Sequence, residues 1–264
     1  MSDRTEPAAE ELKPEATSPP LLDQLTTIFF AVLIALGIRA LVIEPFRIPS
    51  ESMLPTLLVG DHLFVNKFVY GAKIPFTDWR LPGLREPRRG DVVVFDVARR
   101  GGGIHPADRY PELPRDRFVK RIVGMPGDTI QVTGRGVEVN GVPLERRDLE
   151  ANFADATGHL LRSELEVLDG RAHAVLEDPA APPRDFAPFR IEPGRYFMMG
   201  DNRDHSNDSR SWGTVRLDEF KGPAFVLYWS WDWNGSWGEL LRPRTWWSLF
   251  SEKMRWERIG DMIR

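Results

Sequence analysis

At 264 residues, with 42% apolar side chains, the chain is long enough to bury one large core or two small ones. A formal charge of −4, with no long Lys/Arg block, argues against a nucleic-acid partner, because neutralising phosphates takes a basic surface. There is no cysteine, which excludes disulfides, thiolate metal sites and cysteine nucleophiles; the five histidines are scattered without an i, i+4 pair, so no metal and no other cofactor is expected.

Residues 1–20 are rich in Glu, Pro, Ala and Ser without periodic apolar positions, and read as a disordered tail. From Leu25 an uncharged apolar run reaches Ile38, and resumes after Arg39 with Ala40-Leu41-Val42-Ile43. Counted through Ile43 it meets the roughly 20 residues a bilayer asks for, with Arg39 near one end where its guanidinium can snorkel. The expected anchor is 21–43. A cleavable leader fits less well, since the preceding segment is long, acidic and sparsely basic. Both flanks carry few basic residues, so charge alone does not set the orientation.

Next comes Ile48-Pro49-Ser50-Glu51-Ser52-Met53-Leu54-Pro55-Thr56-Leu57. Two prolines fence two serines, and proline removes a donor and restricts its predecessor, so this stretch is neither a regular helix nor a central strand. It presents hydroxyls on a rigid loop, which suits nucleophilic acyl transfer.

The middle of the chain reads as short strands: Asp61–Gly71, Asp91–Val97, Arg117–Gly124, a hairpin over Thr129–Val132 and Gly136–Val139, then Arg195–Met199 and Pro223–Trp231. Arg99 to Pro114 reads as a surface excursion. Residues 143–193 turn charged and proline-rich, as an inserted subdomain with one small hairpin around Leu165–Val175 would. Trp229, Trp231, Trp233 and Trp237 cluster, and Trp246 to Arg264 mixes aromatic and basic residues as an interfacial helix does.

Lys120 turns the serine loop into chemistry. Strand alternation puts Phe118 and Lys120 on one face and Val119 and Arg121 on the other, so one of two adjacent cations faces inward. Burial disfavours an ammonium, drawing its pKa from about 10.4 toward the working pH and making the amine a usable base. Gly200 to Gly213 holds three aspartates, two arginines and three serines, which predicts a self-satisfied network of ion pairs and turns; its spacing is not that of a calcium loop.

Five blocks stand in order behind the apolar run: Pro49 to Thr56; Gly60-Asp61 with Val65-Asn66-Lys67; Arg89 to Phe95; Lys120 to Asp128; and Gly200 to Asp204 with Ser209-Arg210. Together they resemble bacterial type I signal peptidase, the leader peptidase family, from about Glu44 to Trp231. The resemblance implies a twisted antiparallel β body with a small capping β subdomain, a mainly β catalytic domain over 44–264 behind one transmembrane helix. It implies Ser52 as nucleophile and Lys120 as general base, with Ser206 orienting the lysine and Asp208 and Arg210 supporting it. The Ser52 N–H and the Ser50 hydroxyl would form the oxyanion hole. Phe46, Ile48, Met53 and Val119 would line shallow pockets for small side chains.

Glu51 and His205 depart from the family pattern, where a glycine and an asparagine are expected. The implied partners are secreted preproteins, cut after an Ala-x-Ala-like site, and the lipid bilayer of the bacterial inner membrane. The tail would then be cytoplasmic and the body periplasmic. The alternative is a related Ser/Lys processing peptidase of a conjugative or pilus-transfer system. An adhesion role for Arg89-Gly90-Asp91 would leave the serine and lysine blocks unexplained.

Overall fold

The computed structural model describes residues 21–74, 77, 79–134, 136–232 and 253–263. The tail 1–20, together with Trp233 and Trp237 of the aromatic cluster, lies outside them. Helix α1 spans Leu21–Leu41, with Asp23 in its first turn and Arg39 in its last, the placement that complements the helix dipole. Its 21 residues rise about 30 Å, and none of them is buried. A core helix of a soluble domain would bury one face; this one is apolar, and its residues 21–39 are all exposed. It stops two residues short of the expected Ile43, since Pro45 forces Glu44 into extended geometry and the chain has already turned into a strand.

Residues 39–264 form one compact unit. In chain order its strands are β1 (Ile43–Arg47), β2 (Asp61–Asn66), β3 (Val92–Arg100), β4 (Gly103–Pro106), β5 (Arg115–Gly124), β6 (Thr129–Thr133), β7 (Gly136–Val139), β8 (Val142–Pro143), β9 (Arg146–Asp148), β10 (Phe153–Ala154), β11 (Leu160–Leu168), β12 (Arg171–Glu177), β13 (Phe186–Arg190), β14 (Arg195–Met199), β15 (Val215–Arg216) and β16 (Phe220–Ser230). All of their pairings are antiparallel, as the mainly β expectation requires. The largest sheet runs β1-β2-β16-β3-β5-β14-β15, with β4 on β3. Sequence alone missed β1, and β4 lies inside what read as a surface excursion.

The smaller sheets are β10-β11-β12 with β9 on β11, and β13-β6-β7-β8. The inserted stretch 143–193 is therefore shared between two sheets. Its expected hairpin is β11–β12, paired from Arg162↔Glu177 to Leu168↔Arg171, while β13 leaves to pair with β6.

The apolar core sits where these sheets meet. Val92, Val94 and Val119 pack with Ile48, Met53 and Leu57, while Val93, Phe95 and Ile122 pack on the other side with Met198 and Phe220. The central strands β3 and β5 are covered on both faces, which is why their sequences read as unbroken apolar runs. Of the expected helix Trp246 to Arg264, residues 246–252 lie outside the described residues, and over 254–263 the expectation is corrected. That segment is an extended strap with one 3-10 turn, Trp256–Arg258, bonded along β16 through Leu227 N–H to Asp261 O (3.0 Å) and Ile263 N–H to Phe225 O (3.0 Å). Its Gly260 lies at φ +94, a conformation that breaks helical continuation.

Candidate active site

The proline-fenced loop folds as a single 3-10 turn, Glu51–Met53, entered through Ser50 in extended geometry. Leu57 N–H closes onto Met53 O at 2.8 Å. The turn is gripped from outside by the 200–203 segment: Asn202 N–H donates to Ser52 O and Asn202 Nδ2 to Glu51 O, both at 3.2 Å. Gly200 makes this grip possible, because a Cβ there would lie 2.4 Å from Ser52 O and 2.3 Å from Ser206 Oγ. Asp201 continues it, accepting from Thr56 Oγ1 at 2.6 Å.

Arginines of the C-terminal strap hold the rear of the loop. Arg258 Nη2 donates to Thr56 O (3.0 Å) and pairs with the buried Asp61 carboxylate (2.7 Å), and Arg255 Nη1 donates to Val59 O (3.0 Å).

On this frame Lys120 Nζ lies 2.5 Å from Ser52 Oγ, with Lys120 3% exposed and Ser52 8%. Ser50 Oγ is 3.4 Å from Ser52 Oγ, so both hydroxyls border one small volume. Phe118 shares the Lys120 face as alternation expects, its ring centroid 5.5 Å from Nζ. Burial lowers the Lys120 pKa to about 8. The Asp208 and Asp201 carboxylates act against this shift, and Arg210 assists it. Both carboxylates are already spoken for: Arg210 holds Asp208 through Nε (2.9 Å) and Nη2 (2.8 Å), and Arg121 holds Asp201 through Nε (2.9 Å) and Nη2 (2.7 Å). Pairing leaves burial as the dominant influence on the amine.

The expectation that one cation faces inward needs correction. Both do: Arg121 is 1% exposed on the opposite face of β5 and also donates from Nη1 to Gly90 O at 2.7 Å. The 200–213 loop is not self-satisfied either. Asp208–Arg210 is internal, but Asp201 reaches to β5, and Arg203 pairs with Glu166 of β11 at 2.7 Å. Burial raises the Glu166 carboxyl, Arg203 more than offsets it, and its pKa falls to about 2. Leu176 N–H to Asp201 O and Arg203 N–H to Leu176 O, both 2.8 Å, stitch β12 onto the same loop. The capping sheet is thus a buttress of the 200–213 loop. His173, buried beside Arg121, has its pKa lowered to about 4, first by burial and then by that guanidinium, so it adds no charge there at neutral pH.

Ser206 sits differently from its expected role. It is 2% exposed and near enough to help lower the Asp208 carboxyl, yet its Oγ makes no properly directed hydrogen bond, to Lys120 or to any other described group. Lys120 spends its contact on Ser52. His205 Nε2 lies 3.1 Å from Asp178, whose other oxygen meets His159 at 3.0 Å, so the departure from asparagine ties the 200–213 loop to the capping sheet.

Ser52, Lys120, Ser50, Phe46, Val119 and His205 border a single cleft of ≈ 550 Å³. Ile48 and Met53 are fully buried and pack in the same apolar cluster as Val119 and Phe46. Among the described residues β1 pairs only with β2, and residues 115–120 of β5 pair only with β3, so two strands with an unpaired side flank the cleft. Arg121, Gly200, Asp201 and Asn202, which stand in the sequence blocks without a role, and Arg258, not singled out at all, hold the frame of the site. The available signal was two adjacent cations in an apolar strand, which demands a buried acidic partner for at least one.

A family model described as signal peptidase, peptidase S26, matches residues 21–229. The chain is 37% identical over 232 residues to the signal peptidase I of Pseudomonas aeruginosa, covering 80% of this chain and 74% of that one. It is 33% identical over 236 residues to that of Leptolyngbya laminosa (86% and 91%), and 32% over 239 residues to that of Aquifex aeolicus (78% and 84%).

Proposed function

The chain belongs to the signal peptidase family of S26 peptidases, and from that premise we propose that it is a membrane-anchored serine endopeptidase that removes signal peptides from secreted preproteins with a Ser52/Lys120 dyad. The observation that carries the dyad is the 2.5 Å contact between a lysine amine stripped of water and the hydroxyl of a serine on a clamped turn. Neutral Lys120 takes the Ser52 hydroxyl proton as Oγ bonds to the scissile carbonyl carbon. The carbonyl oxygen, now negative, accepts from the Ser52 N–H and the Ser50 hydroxyl. Lys120 returns its proton to the leaving nitrogen, the C–N bond breaks, and the mature protein departs with a free amine. Water, deprotonated by the same lysine, then hydrolyses the Ser52 ester and releases the signal peptide as an acid.

The substrate segment adds as an extended strand between β1 and the start of β5. The Phe46, Ile48, Met53 and Val119 cluster leaves room there for small side chains only, in keeping with an Ala-x-Ala-like site. The Asp208–Arg210 pair sets the charge around Lys120, and Ser206 acts on the amine through the neighbouring Asp208 carboxylate. Helix α1 holds the enzyme in the inner membrane, with the tail cytoplasmic and the body periplasmic; Trp229 and Trp231, half-buried, lie against the bilayer. That the relatives carry the name signal peptidase I favours this role over processing in conjugation or pilus transfer. The test is to incubate the detergent-solubilised protein with a purified preprotein and sequence the new N-terminus. Cleavage after a small-x-small site, lost in Ser52→Ala with its melting temperature retained, is the expected result; unchanged cleavage by Ser52→Ala refutes the dyad.

A further inference from the structure

The two strands flanking the cleft face each other through a ladder of side chains. On β1, Glu44, Phe46 and the following Ile48 point the same way, with burial deepening toward Ser52. On β5 the matching series is Arg117 and Val119. Nearest the serine the rung is apolar, since Ile48, Val119 and Phe46 pack in one cluster. Two residues farther out along each strand it becomes ionic: Arg117 Nη1 donates to Glu44 Oε1 across the gap. Arg117 also lines a second hollow of ≈ 490 Å³ beyond the cleft, so the ion pair is the partition between the two.

The charges of this partition are not evenly used. Glu44 gives one oxygen to Arg117 and the other to Lys67, whose Nζ is 3.3 Å away. Arg117 has five N–H donors, and its side chain is 45% exposed, so donors remain free to meet a passing group. An extended substrate places alternate side chains on one side with a two-residue repeat of about 6–7 Å. If the small residues at the first and third positions before the scissile bond face the apolar rung, the fifth faces the ion pair.

Building on the proteolytic role proposed above, we infer that Glu44 and Arg117 form a specificity-determining subsite for the fifth residue upstream of the cut, favouring acidic or hydrogen-bond-accepting side chains and disfavouring basic ones. An acceptor takes the spare Arg117 donors without disturbing Glu44. A lysine or arginine meets the two cations Arg117 and Lys67 against the single charge of Glu44, which both of them already engage. The position is a rim, where water and salt weaken each contact, so the effect tunes choice among sites and does not govern catalysis.

The test uses the full-length enzyme in detergent and three peptides that share an Ala-x-Ala site and differ only in Glu, Gln or Lys at the fifth position before the bond. For the wild type, kcat/KM for Glu and Gln should exceed that for Lys by about 5–10-fold, and the Glu-to-Lys ratio should shrink toward unity in about 0.5 M salt. In Arg117→Ala the ratio should collapse at any salt concentration, and in Glu44→Gln, which leaves Arg117 and Lys67 less neutralised, it should widen. A wild-type ratio of one, or an unchanged ratio in Arg117→Ala, overturns the subsite. Failure of the wild type to cut any of the three peptides strikes the proteolytic reading itself.

Discussion

The two faces of β5 treat neighbouring cations in opposite ways. Lys120, 3% exposed, is left with the Ser52 hydroxyl and with carboxylates already paired to arginines, and its pKa drops to about 8. Arg121, 1% exposed, receives a two-point carboxylate from Asp201. Equal burial thus accompanies the proposed base on one face and a brace on the other. What differs is the partner, because desolvation shifts a pKa freely only where no opposite charge restores the ionic form. The brace also bears on the proposed base: Asp201, held by Arg121, binds Thr56 of the serine loop, and that pairing keeps its charge from dominating the lysine.

The comparison breaks most completely by making the two faces alike. Lys120→Arg keeps charge and length but cannot deprotonate, and should cost roughly 10⁴–10⁶-fold in kcat, with no rising limb left in the pH profile. The wild-type rate should climb with pH through about 8, as the amine becomes neutral, and then level off. An active Lys120→Arg enzyme would place the base elsewhere, with His205 on the cleft wall the first residue to examine.

Removing the brace should act on folding before chemistry. Asp201→Asn leaves Arg121 buried without its counter-ion, for an expected loss of about 3–5 kcal/mol in a denaturant-midpoint measurement. Activity under native conditions should follow the folded fraction. A variant of unchanged stability would mean that Arg121 finds another partner and that the pair is not the hinge between the faces.

The finest adjustment is to the charge balance around Lys120. In Arg210→Gln the Asp208 carboxylate is no longer neutralised, and its negative charge favours the ammonium. The Lys120 pKa should rise, moving the activity limb to higher pH by about one unit and lowering the rate near pH 7 about tenfold, with recovery at alkaline pH. A loss that persists at high pH would show that Arg210 acts by shaping the 203–210 loop, where its Nη2 also donates to Arg203 O at 2.5 Å.

Much of this was present in the primary structure because it follows from local chemistry. The apolar run before Arg39 predicts α1, Pro49 and Pro55 exclude regular structure around Ser52, and the apolar periodicities place most of the main-sheet strands. Strand β1 escaped because Ile43 reads as the tail of the apolar run, and the C-terminal strap because its mixed apolar and basic composition imitates an amphipathic helix. What no local pattern contains is the pairing of charges. That both Lys120 and Arg121 are buried with different partners, that Arg203 crosses to Glu166, and that Glu44 meets Arg117 all depend on contacts between residues far apart in the chain. Burial and counter-charge are properties of the assembled sheets, and they set the pKa of Lys120; the sequence determined that a serine, a lysine and an acidic loop were present, and tertiary packing decided that they meet.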